Sequence, residues 1–195
     1  MKKRLLFGLI VSLIILKGIV YLPVLAQLPA NSRLNQAQIQ QLRSLGIKIV
    51  VPTYVPAGFR VASVRVEAPC RPRSQCAQYA IIYRNSSNAC FAIEGTYGGI
   101  GGIPERENQI TVDTQLFGQT ILYYGHYQDP EMRQNFPEAD MYMDWAGNGP
   151  FYRFIGAGFV RQSYYGERNS QPIKECRNDI STREAVKVIR SLSML

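Results

Sequence analysis

The chain has 195 residues, 46% of them hydrophobic and 11% aromatic, with 22 Lys and Arg against 14 Asp and Glu, and four Cys. This composition excludes disordered, collagen-like and polytopic membrane classes, and the length leaves room for one domain. The formal net charge of +8 is the first quantity that the chain order revises.

Lys2, Lys3 and Arg4 precede twelve residues without a charge, 5–16, and Val24-Leu25-Ala26 offers small or modest side chains where a signal peptidase reads. The pattern predicts a secretory signal over 1–26, cleaved after Ala26. The rival is a retained membrane anchor over 5–26, since a spanning helix needs about 20 apolar residues. Lys17 and Pro23 interrupt such a span, and a central Lys costs about 2.5 to 3.5 kcal/mol on insertion scales. No Cys follows the cut to carry a lipid. Cleavage removes Lys2, Lys3, Arg4 and Lys17, which leaves 18 basic and 14 acidic side chains and a net charge of +4. The basicity that would suggest a nucleic-acid partner is half targeting signal, so no nucleic acid is expected.

Residues 27–34 read as a tether, and 35–195 as a single α+β domain. Asn35 and Gln38 form a capping pair ahead of Ile39, Leu42 and Leu45, with Gly46 as the stop, which predicts a short amphipathic helix. An apolar strand over 47–51 is broken by Pro52 and Pro56. Short strands follow over 59–67, 77–84, 90–95, 109–116, 120–125, 140–145, 151–155 and 158–163, spaced as an antiparallel meander without intervening helices. Ile110, Val112, Thr114 and Leu116 alternate with polar residues, as do Met141, Met143 and Trp145 with Asp140, Tyr142 and Asp144. One dry and one wet sheet face are predicted. Ser181 and Glu184 make a capping box before an apolar stripe of Ala185, Val188, Ile189 and Leu192, so a C-terminal helix is expected to cover the dry face.

Cys70, Cys76, Cys90 and Cys176 all follow the expected cut, and an even count in an exported chain reads as two disulfides. Cys70–Cys76 would staple a hairpin tip. Cys90–Cys176 would tie the sheet to the segment before the last helix, a closure worth about 4 kcal/mol in the chain-entropy account. Zinc is the rival; the spacing lacks paired short gaps, and His126 is the only histidine.

The run Pro52-Thr53-Tyr54-Val55-Pro56-Ala57-Gly58-Phe59 resembles the opening of small bacterial secreted domains, and the segment from Ile180 through Leu192 looks like the capped helix that ends them. These domains are similar to the LolA lipoprotein carrier and the RseB stress sensor. The resemblance implies a curved antiparallel half-barrel of about seven or eight strands, packed with an N-terminal and a C-terminal helix, in an exported compartment.

The glycine-rich run 95–104 lacks the Lys-Ser or Lys-Thr of a phosphate loop, and Pro104 stands where a dinucleotide fingerprint needs Gly or Ala, so it reads as a turn. No cofactor is expected. His126 has no nucleophile elbow near any Ser and reads as an edge histidine. Asp140 and Asp144, about 13 Å apart on a strand, are too far apart for a glycosidase pair at roughly 5 to 9.5 Å, and read as solvated. Tyrosines 123, 124, 127, 142, 152, 164 and 165 are strand formers that would line a groove if they face a cavity. Charge is uneven. Arg60, Arg65, Arg71, Arg73 and Arg84 against Glu67 give +4 over 60–84, and Asp129, Glu131, Glu138, Asp140 and Asp144 against Arg133 give −4 over 129–144. The five arginines are the candidate binding residues, for an envelope protein, an anionic surface or an amphiphile. The leading expectation is a non-enzymatic exported binding module. The alternatives are a small envelope hydrolase using His126 and a structural subunit of an envelope complex.

Overall fold

The computed structural model describes residues 31–67, 77–98, 100–102, 105–166 and 175–195. The expected signal segment, Cys70, Cys76, Arg71, Arg73, Gly99 and Pro104 lie outside the described residues.

The architecture is α+β. Strands β2 (Arg60–Glu67), β3 (Gln78–Arg84), β4 (Cys90–Thr96), β5 (Arg106–Thr114), β6 (Gly118–Tyr127), β7 (Asp140–Met143) and β8 (Phe151–Ile155) form an open antiparallel sheet in the order β2-β3-β4-β8-β7-β6-β5. The expected meander is therefore interrupted once. Two three-stranded meanders, β2-β3-β4 and β5-β6-β7, are joined through β8, and the glycine-rich run carries the chain from one half to the other.

The first face of the sheet carries Tyr79, Ile81, Tyr83, Phe91, Ile93, Val112, Leu122, Met141, Met143, Tyr152 and Phe154, all buried. It is covered by α1 (Gln36–Arg43), α4 (Thr182–Arg190) and a ribbon of β1 (Val50–Pro52) paired with β9 (Leu192–Met194). The expected Asn35–Gln38 box closes in both directions at 2.9 Å. At the other helix only half the box forms: Ser181 Oγ accepts the Glu184 N–H at 3.3 Å, while the Glu184 carboxylate turns to Tyr54 and Lys187. Of the apolar run 47–51, only its end pairs, Val50 with Met194 and Val51 with Ser193, while Pro52 pairs with Leu192, a residue of the expected helical stripe that lies in β9 instead.

Of the tyrosines expected to line a groove, Tyr152 is instead a pillar of this core, together with Tyr79 and Tyr83. Tyr83 hydroxyl donates to the Ser32 carbonyl at 3.1 Å, and Tyr152 hydroxyl to the Lys48 carbonyl at 3.0 Å. Tyr79 hydroxyl donates to the Val50 carbonyl at 3.1 Å and accepts the Val50 N–H at 2.7 Å. Each of these three rings fills the apolar layer while its hydroxyl satisfies the backbone of the covering segment.

Two expectations about the second face are corrected. Residues 158–163 are not a strand; they lie in helix α3 (Ala157–Tyr164), whose Val160 is buried against the sheet. Phe159 and Val160 favour strands, but carboxylates from outside the segment cap its first turn, and this tertiary capping overrides local propensity. The second face is also not wet at β7: Asp140 and Tyr142 are buried together with Ile82, Ala92, Ile155 and Val160. The alternation in 140–145 is real, but both of its faces are covered. Asp144 is exposed, as expected.

One further helix, α2 (Pro130–Asn135), follows from local chemistry that the strand reading passed over: Asp129 accepts the Met132 N–H at 2.8 Å, with Pro130 in the first turn.

Candidate functional site

The Cys90–Cys176 disulfide is present, with Cα atoms 5.2 Å apart and both residues fully buried. It fastens the segment after 175 to the start of β4, where Cys90 N–H also donates to the Asn178 carbonyl at 3.0 Å and Arg177 N–H to the Asn88 carbonyl at 2.9 Å. Cys176 takes a left-handed backbone, φ 57°. The bridge sets the position of Asp179, three residues on.

Asp179 reaches the first turn of α3, where its Oδ1 accepts the Ala157 N–H at 2.5 Å. Asp140, from β7, accepts the Phe159 N–H at 2.8 Å and the Gly158 N–H at 3.2 Å. Two distant carboxylates thus replace a local cap, since Gly156 at that position has no side chain to offer. The approach requires glycine. A Cβ on Gly156 would stand 2.3 Å from Asp179 Oδ1 and 2.8 Å from Asp140 Oδ1, which sets these oxygens within about 5 Å of each other, and a Cβ on Gly158 would stand 2.7 Å from Asp140 Oδ2.

Arg106 closes the cluster. Its guanidinium lies 4.0 Å from Asp140 Oδ2 and 3.4 Å above the Tyr127 ring, with Tyr142 and Phe159 also around it. Arg106 is 2% exposed, and its Nε and Nη1 have no hydrogen-bond partner among the described residues. A register shift between Arg106 and Asn108 turns Arg106 to the second face; in strict alternation it would lie with Ile110 and Val112 on the first.

Burial holds the Asp140 carboxyl up, to about 6, against the pull of the backbone N–H donors and Arg106. Burial and the neighbouring Asp140 push Asp179 up to about 7. Both acids pass between protonated and ionised near neutrality.

Beside this cluster, Glu94 on β4 is buried between Arg153 and Tyr164. Its Oε2 accepts from Arg153 Nε at 2.5 Å, and its Oε1 accepts from the Tyr164 hydroxyl. Arg153 stacks on Trp145 at 4.2 Å. With both oxygens of Glu94 engaged, the group is a tie between sheet and α3, not a free acid.

The arginines of 60–84 divide. Arg60 and Arg65 are exposed on the edge strand β2. Arg84, directly across from Arg60, pairs with Glu175 at 3.2 Å. Arg60 and Arg65 share the second face only because a bulge between Val61 and Ser63 shifts the register, which also turns Val61, Val64 and Val66 toward the core.

His126 accompanies an acid but no nucleophile among the described residues. Its Nδ1 lies 3.1 Å from Glu107 Oε2, and Arg133 Nη2 donates to Glu107 Oε1 at 2.8 Å, all in partly exposed positions. Donation from His126, backbone first, lowers the Glu107 carboxyl below the usual range.

A cleft of about 300 Å³ is lined by Asn31, Arg33, Thr53, Tyr54 and Val55. Arg33 spends its guanidinium there on the Phe59 and Val55 carbonyls. Among the described residues, no three His, Cys, Asp or Glu side chains are grouped to hold a metal ion, and no helix is long and apolar enough to cross a membrane. Comparison with protein-family models, with curated proteins and with solved structures finds no match.

Sequence reasoning missed the Asp140–Asp179–Arg106 cluster. The one signal that pointed to it was Gly156 and Gly158 flanking Ala157, small residues that permit close approach of another chain segment.

Proposed function

We propose that this chain is an exported envelope module that binds an anionic partner and carries out no chemistry. The N-terminal charge and apolar pattern support export, and a buried disulfide suits an oxidising compartment. The likeness to secreted domains of the LolA and RseB group points the same way for compartment.

The observation that carries the binding reading is the joint exposure of Arg60 and Arg65 on one face of an edge strand. Arg84 is excluded from this pair by Glu175. Guanidinium groups offer forked contacts to carboxylates, sulfates and phosphates, so the partner is an acidic envelope protein or an anionic surface. An amphiphile carrier is less well served, because the first sheet face is filled by the protein's own helices and ribbon.

The test is retention of the mature protein, residues 27–195, on immobilised dextran sulfate across a salt gradient. R60Q/R65Q should elute at clearly lower salt, and R183Q/R190Q, two arginines of α4, which packs against β5, should elute with the wild type. Equal elution of R60Q/R65Q and wild type overturns the reading. A second reading, a structural subunit without a ligand, is favoured by the filling of both faces at β7.

A further inference from the structure

The carboxyl pair at the start of α3 is built in a way that a permanent cap does not need. A single Asp or Ser at the capping position, with solvent on the remaining N–H groups, suffices for an ordinary helix start. Here that position is Gly156, and two acids from separate segments crowd over it within about 5 Å.

The charges around the pair do not fully balance it. From β5, Arg106 stands 4.0 Å from Asp140, with Nε and Nη1 unpartnered among the described residues. From α3 itself, Arg161 donates Nη1 to the Cys176 carbonyl at 3.1 Å and gives Nη2 to Glu138, so its charge is shared. From β6 and β7, the facing groups are the rings of Tyr127, Tyr123 and Tyr142. From α2, Arg133 is committed to the Tyr127 carbonyl and Glu107. Water is excluded from Asp140, which is 6% exposed.

The two acids differ in freedom. Asp140 is fixed by strand pairing to β6 and by three N–H donors, those of Met141, Gly158 and Phe159. The Asp179 backbone is held between Asn178, bridged to Ala89, and buried Ile180, but its side chain, only half-buried, accepts from Ala157 alone among the described residues and is free to rotate away. When both acids ionise, like-charge repulsion in a dry site is relieved by moving the looser one to water.

We propose that Asp140 and Asp179 form a pH-operated latch: with a proton on the pair, Asp179 clasps the first turn of α3 to the sheet, and when both ionise Asp179 leaves and that turn opens. Opening uncovers the second-face surface of Tyr142 and Ile155 beneath Ala157 and Val160. The upward shifts of both carboxyls put the transition near neutral pH. The latch does not depend on the proposed function.

The test is hydrogen exchange by mass spectrometry on the mature protein with its disulfide intact, at pH 5 and pH 8. Rates are converted to protection factors, which removes the intrinsic pH dependence of exchange. Protection across 157–164 is expected to fall at least tenfold from pH 5 to pH 8, the equivalent of about one pH unit of linkage, while peptides of β3 hold their protection. In D179N, which keeps an oxygen for the Ala157 N–H but no charge, the fall should vanish. D140N serves the same purpose if D179N does not fold. Equal α3 protection at both pH values in the wild type, or an undiminished fall in a folded D179N or D140N, overturns the latch.

Discussion

Tyr79 lies flat across Gly95, its direct partner on the neighbouring strand, so closely that a Cβ on the glycine would stand 2.3 Å from Tyr79 Cε1. The absent side chain makes a seat for the ring, and the ring carries its hydroxyl over the sheet to Val50, where it both donates and accepts. A glycine in β4 thus determines how β1 is held. G95A forces the ring to move and is expected to destabilise the protein by about 2 kcal/mol, within the usual range for overpacking. Y79F keeps the ring and leaves two buried backbone groups without their partner, at about 1 to 3 kcal/mol. Urea unfolding followed by circular dichroism measures both. A G95A midpoint equal to that of the wild type would show that the seat is not tight.

The Cys90–Cys176 bridge closes 86 residues of sequence, and on the chain-entropy account its loss costs about 4 kcal/mol. C90A/C176A should unfold at correspondingly lower urea and should lose order first in the segment carrying Asp179. Mass spectrometry of the denatured protein, alkylated without reductant, checks the wider cysteine expectation. No alkylated thiol should appear if Cys70 and Cys76 are also joined, and two should appear if they are free.

Much of the fold is legible in local sequence. α1 follows from Asn35 and Gln38, and β2, β3 and β4 from apolar patterning between turns, because the determining residues are neighbours in the chain. The candidate site is not legible, for three physical reasons. The α3 cap is supplied by Asp140 and Asp179, far from the helix in sequence, so residues 158–163 show only their strand propensity. A bulge at Ala62 and another at Gly125 and His126, opposite Glu107, disturb the alternation that assigns faces, and these decide that Arg60 joins Arg65 and that Arg106 turns inward. Burial of Asp140 depends on α3 landing on the second face, which alternation within β7 does not encode.

The acid pair also makes global stability depend on pH, with a sign opposite to that of a salt-bridged carboxylate. Asp140 and Asp179 are raised in the folded state, to about 6 and about 7, above the usual 3.8. Well below pH 3.8 they are protonated in both folded and unfolded chains, so burial carries no ionisation penalty. As pH rises from about 4 to about 7, the unfolded chain ionises first, and folding stability falls until the folded pair has ionised as well. Asp140 alone accounts for a loss of roughly 3 kcal/mol, and Asp179 adds to it in the same direction. Thermal or urea unfolding at pH 4.5, 6 and 8 should show the decline, and D140N or D179N should flatten it. A wild type whose stability rises over that interval, with no change in either variant, would contradict the assignment.

The Glu94–Arg153 tie gives the sharpest test of whether the second face is held by charge. The side chains are 8% and 14% exposed, so removing one partner leaves the other ionised in a poorly hydrated place. R153M keeps the aliphatic stem against Trp145 and Phe159 but abandons Glu94 to the Tyr164 hydroxyl alone. It is expected to cost about 3 to 5 kcal/mol. E94Q leaves Arg153 facing a neutral acceptor, still stacked on Trp145 where it reaches solvent, and should cost less. The double variant E94Q/R153M removes both charges and should be more stable than R153M alone, because the penalty in R153M is the stranded carboxylate and not the missing attraction. Urea unfolding of the wild type, both single variants and the double variant gives the coupling energy directly. A double variant less stable than R153M would mean that the two replacement side chains fail to pack together, and that shape, not charge, holds α3 at this point.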